Sequence, residues 1–564
     1  MRTMNHKIIA EILTIALWIG LVTIFFFLFF KYGSISFEQN DDMFISTIPS
    51  GIYGQHYIYT CYSNILQGIF LAGLSKFFPV CNWTIMLYIA YIYISYIGIG
   101  VWAVKAKGIL IGSCLSVLFF LVTYEPLLYN MNYSKTGGVL MSVGLVIFAY
   151  YTSNLSEKKN MVFLLLSGAM IFAGSLVRRD SILAFIPFVI ILIIATVLQC
   201  KSRGTKVIKA GIPWLMLILF IITAWLVDAM AYKINDEWRA YKEFNRVRTN
   251  LDDYGMLDYE THQETYEEVG WDSVDVSLLS TWHSADSEVF SEENLQEIIQ
   301  NKPQKEYSFK NIKQSLEETY KNVIKNNYMF GIILALMLVS ALVDPRKLFL
   351  LIPNFLFGVA ELSYLVFCGR YPERATLLVF MYAFCVIIYA FPKKGEYEKI
   401  KNGLIATILI IMVVGGLYSN NIGKMIEENN TEEYVYKEEY RQFLSEISEK
   451  QENLYVWDIF AIERVLEGAY TPYEAFDQGV LSNSVYTGGW FVNTPIMADN
   501  AERFGEKNNP YKLLAESENV YLVTLAGMDI NDTLSYIRRH YNENVQSQCI
   551  AELDEVAIYS FAEE

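Results

Sequence analysis

Two adjacent carboxylates, Asp41 and Asp42, follow shortly after the first apolar run of the chain. Carboxylates can take a proton from a reacting group, and their oxygens suit hard divalent cations such as Mg2+ or Mn2+. The alternative is that both residues are solvated in a loop, or that they cap the segment MFISTI that follows them. The residues alone leave both interpretations open.

Arginines in two short turns are the second group of candidates. They are Arg178, Arg179, Arg370 and Arg374. Arginine suits anionic groups because its planar fork binds two oxygens at once. The alternative is plain ion pairing with the acidic neighbours Asp180 and Glu373. Lys135 and His56 are isolated candidates, and such loop residues are usually just solvated.

The composition is that of a membrane protein. Hydrophobic residues make up 53 % of the 564 residues, and the mean hydropathy is +0.27. The net charge of −16 argues against a nucleic-acid partner, because phosphate binding needs a basic face. The seven cysteines form no CxxC pair, so neither a disulfide framework nor a zinc site is predicted.

Apolar runs long enough to cross a bilayer recur along the chain. A bilayer core about 30 Å thick needs about 20 mostly apolar residues in a helix. Ser63–Phe78 is apolar but short and contains Gln67 and Lys76, so we expect it to lie in the membrane interface. The sequence then predicts about eleven transmembrane helices: Ile8–Phe30, Trp83–Val104, Ile109–Leu127, Gly137–Tyr151, Met161–Val177, Ser181–Leu198, Ile212–Ala231, Tyr328–Val343, Leu348–Phe367, Ala375–Phe391 and Leu404–Leu417.

Lysine and arginine set the expected orientation, because loops rich in these residues stay in the cytosol. With Ser63–Phe78 in the interface, the basic loops all fall on one side: Arg2–Lys7, Lys105–Lys107, Lys158–Lys159, Lys201–Lys209, Arg346–Lys347 and Lys393–Lys401. The N-terminus of this multi-pass plasma-membrane protein is then cytoplasmic. The outer face receives the first loop at 31–82, an acid-rich loop at 232–327 and both arginine turns.

Two domains follow: an α-helical transmembrane domain at 1–419 and an extracellular α/β domain at 420–564. In the second, the patterns YKEEYRQFLSEISEK and DINDTLSYIRRHY predict helices, and NLYVWD, NVYLVTL and VAIYSF predict strands. In the loop at 232–327, DEWRAYKEFNRVRTNLDDYG and NIKQSLEETYKNVIKN are helix-like. The segment YTGGWFVNTP has the Trp and Gly that sugar stacking uses, or it is a turn with a packing Trp.

Several well-known catalytic motifs do not occur in the sequence. There is no G-x-x-x-x-G-K-[ST] phosphate loop, no H-E-x-x-H, no D-x-D and no G-x-S-x-G. The chain is therefore not expected to be a P-loop ATPase, a zinc hydrolase with that His pair or a nucleotide-sugar transferase of the D-x-D type.

The order of these features resembles that of the GT-C glycosyltransferases, membrane enzymes that take sugars from polyprenyl-phosphate donors. Bacterial protein mannosyltransferases and lipid A aminoarabinose transferases are members. Asn40-Asp41-Asp42 is similar to the acidic motif of their first outer loop, and GQHYIYTCYSNILQGIFLAGLSKFFP to the loop and in-plane helix after it, without the Pro-Pro-Leu element. AGSLVRRDSILAFIPF and GRYPERATLLVF look like their arginine-bearing turns.

The resemblance implies an enzyme that moves a sugar from a polyprenyl-phosphate donor to a surface glycan, lipid or protein. It implies that Asp41 is the general base for the acceptor hydroxyl, and that Asp42 orients the acceptor or holds a divalent cation with Asp41. Because a phosphate is already a good leaving group, the site needs mainly cationic side chains that bind the phosphate. The candidates for phosphate binding are Arg178, Arg179, Arg370 and Arg374, with Lys135 and His56 as weaker ones.

Two other classes of function stay open. A polysaccharide polymerase or ligase also has many spans and one long outer loop, although it would not explain the acidic pair or the α/β tail. A flippase or transporter of lipid-linked sugars usually carries repeats and ionisable residues at mid-membrane depth. The predicted spans contain few such residues.

Overall fold

The computed structural model describes residues 2–33, 35–38, 41–154, 158–202, 207–303, 306–325, 327–392, 408–410, 438–553 and 555–563. Up to residue 392 the chain is helical. The helices there are α1 (Arg2–Tyr32), α2 (Asp41–Thr47), α3 (Ile65–Phe77), α4 (Trp83–Lys107), α5 (Ile109–Leu128), α6 (Tyr133–Thr152), α7 (Lys158–Val177), α8 (Ser181–Ser202), α9 (Val207–Ile234), α10 (Asp236–Asp252), α11 (Gln263–Glu268), α12 (Ser273–Ser280), α13 (Glu292–Gln300), α14 (Phe309–Glu318), α15 (Tyr328–Val343), α16 (Leu348–Phe367) and α17 (Glu373–Ala390). A π-helical turn, Thr319–Ile324, continues α14.

Eight helices of the described residues are long and apolar enough to cross a membrane: α1, α4, α5, α7, α8, α9, α16 and α17. They match eight of the predicted spans, as expected of a multi-pass membrane protein. Within the described residues the number rises to nine, against eleven predicted for the whole chain, if the bent pair Phe309–Ile324 and Tyr328–Val343 counts as one span. The helix α15 has only 16 residues, and α6 has a polar first turn. Apart from residues 408–410, the predicted span Leu404–Leu417 lies outside the described residues, as does the predicted domain boundary at 419.

The helix α6 is the centre of the bundle. Nineteen of its 20 residues are buried, and it packs against α4, α7, α8 and α17. An added Cβ at Gly137 would lie 2.9 Å from the carbonyl oxygen of Gly174 in α7, and one at Gly174 would lie 2.6 Å from the carbonyl oxygen of Gly137. Because small residues let helix backbones approach closely, the first turn of α6 is brought against the end of α7.

The helix α3 is too short to cross the membrane. Its 13 residues span about 20 Å at the 1.5 Å rise of an α-helix. Backbone hydrogen bonds hold the chain on both sides of it: the amide of Asn64 donates to Leu176 of α7 at 2.8 Å, and the amide of Asn82 to Tyr473 of the tail at 2.9 Å. Its place in the membrane interface stays a prediction.

The tail from residue 438 forms a small α/β domain. Its helices are α18 (Glu438–Glu449), α19 (Ile459–Ala469), α20 (Pro495–Glu502), α21 (Pro510–Glu516) and α22 (Asn531–His540), and its strands are β1 (Leu454–Trp457), β2 (Ser484–Tyr486), β3 (Val520–Leu525), β4 (Val545–Leu553) and β5 (Val556–Glu563). The strand order is β2-β1-β3-β5-β4; β1 is parallel to β2 and β3, and β5 is antiparallel to β3 and β4. The three predicted strands and two predicted helices are present. Sequence patterns missed β2, which has three residues, and β4, which is mostly exposed.

Three segments cover one end of the bundle and bind one another: the first loop, the loop at 235–327 and the tail domain. The amide of Leu481 donates to the carbonyl of Ile52 at 2.9 Å, and the amide of Gly489 to that of Trp282 at 2.9 Å. Two aspartates of the long loop are buried against the tail domain, for His540 Nε2 lies 2.8 Å from Asp275 and Tyr536 donates to Asp286 at 2.8 Å. We call this covered end of the bundle the loop end.

Candidate active site at the loop end

Asp41 and Asp42 begin the short helix α2 at the loop end. The apolar side chains of Met43, Phe44 and Ile45 are buried, so α2 belongs to the core and holds the two carboxylates in place. Asp42 has no exposed surface and Asp41 is half-buried. Asp42 is therefore not a solvated loop residue, and both aspartates lie in the first turn of the helix that MFISTI continues. Asn40, the first residue of the acidic motif, lies outside the described residues.

Asp42 joins α2 to the start of α6. Its Oδ1 accepts a hydrogen bond from the amide of Tyr133 at 2.6 Å, and its Oδ2 accepts one from Asn132 Nδ2 at 3.1 Å. Burial and the charge of Asp41 raise the pKa of Asp42 well above its usual value, and the bond from Tyr133 opposes them. Because donors occupy both oxygens, Asp42 is suited to positioning its neighbour rather than to binding a substrate.

Asp41 lies among cationic and aromatic groups. Its Oδ1 accepts a hydrogen bond from Trp490 Nε1 at 2.9 Å. Burial raises the pKa of Asp41 above its ordinary value, while the charges of Arg374 and Arg178 and the bond from Trp490 act in the opposite direction. A carboxylate in these surroundings is a better proton acceptor than an exposed aspartate, because its pKa is closer to neutral pH.

Arg178 is held between two tyrosines. Its guanidinium carbon lies 5.1 Å from the ring centroid of Tyr62 and 5.1 Å from that of Tyr133, and its Nη2 lies 3.1 Å from Asp180. Tyr133 is the first residue of α6, and Arg178 directly follows α7. The close packing of α6 and α7 thus produces this contact. The predicted ion pair with Asp180 is present. The negative charge of Asp41 also acts on Arg178.

Glu38, which sequence reasoning missed, links two of the predicted cations. Lys135 Nζ lies 2.9 Å from Glu38, while the amide of Arg374 donates to Glu38 at 3.2 Å and its Nη1 lies 3.6 Å away. Lys135 has no exposed side-chain surface, so its interpretation as a solvated loop lysine is wrong. Glu38 is brought there by backbone pairing with the turn before α6, since its amide donates to Met131 at 3.0 Å.

The other predicted cations contact groups other than Asp41. Arg370 pairs with Asp253 at 2.7 Å, and the charge of Asp253 in turn raises the pKa of Asp41. Arg179 is 62 % exposed and lies beside Asp180. His56 Nδ1 is 2.9 Å from the carbonyl oxygen of Pro49, at the contact between the first loop and the tail domain.

The oxygens of Asp41 and Asp42 already accept hydrogen bonds, so a divalent cation would have to share them. N–H donors occupy one oxygen of Asp41 and both oxygens of Asp42. Within the described ranges, no group of three His, Cys, Asp or Glu side chains could hold a metal ion. The positive charges that act on Asp41 in the structure are those of Arg374 and Arg178.

Trp490 reaches Asp41 from a tight turn of the tail domain. An added Cβ at Gly488 would lie 2.6 Å from the carbonyl oxygen of Trp282, and Gly489 has φ +78°. Tyr241 of α10 then donates to the carbonyl of Trp490 at 2.8 Å. The segment YTGGWFVNTP predicts a turn with a packing Trp, or a Trp that stacks on a sugar. Its Trp and Gly single out this turn in the sequence, but nothing in the segment indicates a hydrogen bond to Asp41.

Comparison with known proteins assigns no family. No family model matches the chain, and no curated protein or solved structure matches it either. The GT-C resemblance therefore stays a prediction from short motifs, and the case for a function rests on the geometry around Asp41.

Proposed function

We propose that this chain is an integral-membrane glycosyltransferase of GT-C type that moves a sugar from a polyprenyl-phosphate donor to a cell-surface acceptor. The observation that carries the proposal is that Arg178, Arg374 and the donor Trp490 all act on the Asp41 carboxylate. Asp41 and the two arginines come from the first loop and from two distant turns, yet the charges of both arginines act on the Asp41 carboxylate. A base beside paired guanidinium groups is what transfer from a phosphate-linked sugar requires.

In the proposed reaction, Asp41 takes the proton of the acceptor hydroxyl, and the hydroxyl oxygen attacks the anomeric carbon of the donor. The bond from that carbon to the phosphate oxygen breaks, and the phosphate leaves with the electron pair. Arg178 and Arg374 supply the positive charge that stabilises the departing phosphate. Asp42 and Trp490 hold Asp41 in place.

The proposal puts the loop end outside the cell, because the basic loops belong to the other end of the bundle. Exposed basic side chains there include Lys105, Lys201 and Arg346. A polymerase or ligase could use the same base and arginines with a glycan acceptor, and it remains an alternative within the transferase class. A flippase is the alternative outside that class.

The test is a transfer assay on the purified protein with radiolabelled polyprenyl-phosphate hexoses. Asp41→Asn should lower the rate about 10²–10⁴-fold, the usual contribution of a general base. The matched control is Asp236→Asn, which changes a carboxylate that is 81 % exposed at the start of α10. Equal transfer by the parent and Asp41→Asn at equal expression would remove Asp41 from the mechanism.

A further inference from the structure

The segment 309–325, which comprises α14, the π-helical turn and Lys325, turns four large apolar side chains away from the protein. The exposed fractions are 85 % for Phe309, 47 % for Ile312, 45 % for Leu316 and 57 % for Tyr320. Their spacing of three and four residues puts them on one helical face. The buried residue of α14 is the small, polar Ser315, and apolar burial begins only at the end of the π-helical turn, with Ile324. A water-soluble helix has the opposite arrangement.

The position of segment 309–325 explains this inversion. The helix α14 packs against α16, and the ring of Tyr307 stacks on that of Phe367, the last residue of α16, with 4.8 Å between the centroids. The run Phe309–Ile324 meets α15 at an angle of 100°. Since α16 is long and apolar enough to cross a membrane, a helix beside its end and nearly perpendicular to α15 has the direction expected of one that lies along the membrane surface.

The charges of segment 309–325 match an anionic lipid surface. It carries Lys310, Lys313, Lys321 and Lys325 against Glu317 and Glu318, in a chain whose net charge is −16. All four lysines are exposed. Basic residues beside an apolar helical face are typical of helices that lie in the headgroup region of anionic membranes.

We propose that segment 309–325 is an in-plane membrane anchor, whose apolar face lies among acyl chains and whose lysines contact anionic phospholipid headgroups. The proposal places the end of the acid-rich loop at 232–327 in the membrane surface. The anchor also adjoins an arginine turn, because Asn322 Nδ2 donates to Tyr371 at 3.4 Å. The inference does not depend on the proposed enzymatic activity.

The test compares cysteine variants of the full-length protein in nanodiscs of phosphatidylcholine and phosphatidylglycerol that hold one copy each. Ile312→Cys and Leu316→Cys report on the apolar face, and Gln314→Cys on the other exposed side of the same helix. All three native side chains are exposed, so none of the changes threatens folding. A water-soluble, membrane-impermeant maleimide is added, and modification is measured by mass spectrometry of the peptide that carries each new cysteine.

We expect Ile312→Cys and Leu316→Cys to react at least tenfold more slowly than Gln314→Cys in nanodiscs, and all three to react equally after unfolding in SDS. Equal rates in the folded protein would overturn the proposal, because the apolar face would then meet water. Slow modification of Ile312→Cys and Leu316→Cys that appears only in nanodiscs holding two copies would also overturn the proposal. A second copy of the chain, and not lipid, would then cover the apolar face.

Discussion

The buried lysine of the candidate site offers a direct test of the structure that needs no substrate. We expect Lys135→Met to destabilise the protein strongly, although methionine fits an apolar interior well. The reason is Glu38, which would lose the ammonium group 2.9 Å from its carboxylate while it stays mostly enclosed.

The size of the effect follows from burial. Lys135 has no exposed side-chain surface, and that of Glu38 is 12 % exposed. Removing one partner of a buried ion pair costs about 3–5 kcal/mol. Because Arg374 keeps a guanidinium 3.6 Å from Glu38, the loss should fall at the low end, about 3 kcal/mol. Glu38→Gln combined with Lys135→Met should cost less than the sum of the two single changes, since neither member of this pair is then left charged without the other.

The assay is unfolding by SDS in dodecylmaltoside micelles, followed by tryptophan fluorescence. Lys507→Met is the matched control, because Lys507 lies 3.1 Å from Glu502 but is half exposed. Such surface pairs contribute little to stability, so the control should unfold like the parent. If Lys135→Met also unfolds like the parent, or if the double variant shows simple additivity, the buried ion pair does not stabilise the loop end as argued.

Two further predictions concern the helix α3 and the tail domain. Gly68→Ala should destabilise the protein by about 1–3 kcal/mol, the usual cost of overpacking, because the new Cβ would lie 1.9 Å from the carbonyl oxygen of Ile58. Gly73→Ala, on the same helix with no atom within 4 Å of its Cβ, should not destabilise; equal losses for the two in the same SDS titration would contradict the contact. Trp490→Phe removes a donor that lowers the pKa of Asp41. The base then becomes protonated at a higher pH, so the acid limb of the transfer rate should move to higher pH in a pH–rate profile. A lower rate with an unmoved limb would assign Trp490 a packing role only.

The apolar helices could be predicted from the sequence wherever hydropathy alone determines their position. The eight apolar helices coincide with predicted spans because a bilayer sets both their length and their composition. The helix α6 departs from this rule, since protein rather than lipid surrounds it and a polar first turn is tolerated there. The exposed apolar face of α14 was missed because a window over the loop at 232–327 averages it with many charged residues.

The candidate site was predictable only in part. The resemblance selected Asp41 and the arginines, but it could not tell which arginine charges act on Asp41. The position of Arg178 depends on the close approach of α6 and α7, which brings it against Tyr133. Trp490 is 449 residues away from Asp41 along the chain, and no local pattern joins two such positions.

The enclosure of α6 has a consequence for how the protein is made. A nascent α6 that entered the lipid alone would expose its glycine-rich seam and polar first turn to acyl chains. Its neighbours α4 and α5 precede it, but α17, whose Leu378 fills the space beside Gly138, is synthesised much later. The enclosure of α6 therefore waits for the arrival of α17, and ribosomes stalled before residue 373 should yield a chain that membrane quality control degrades.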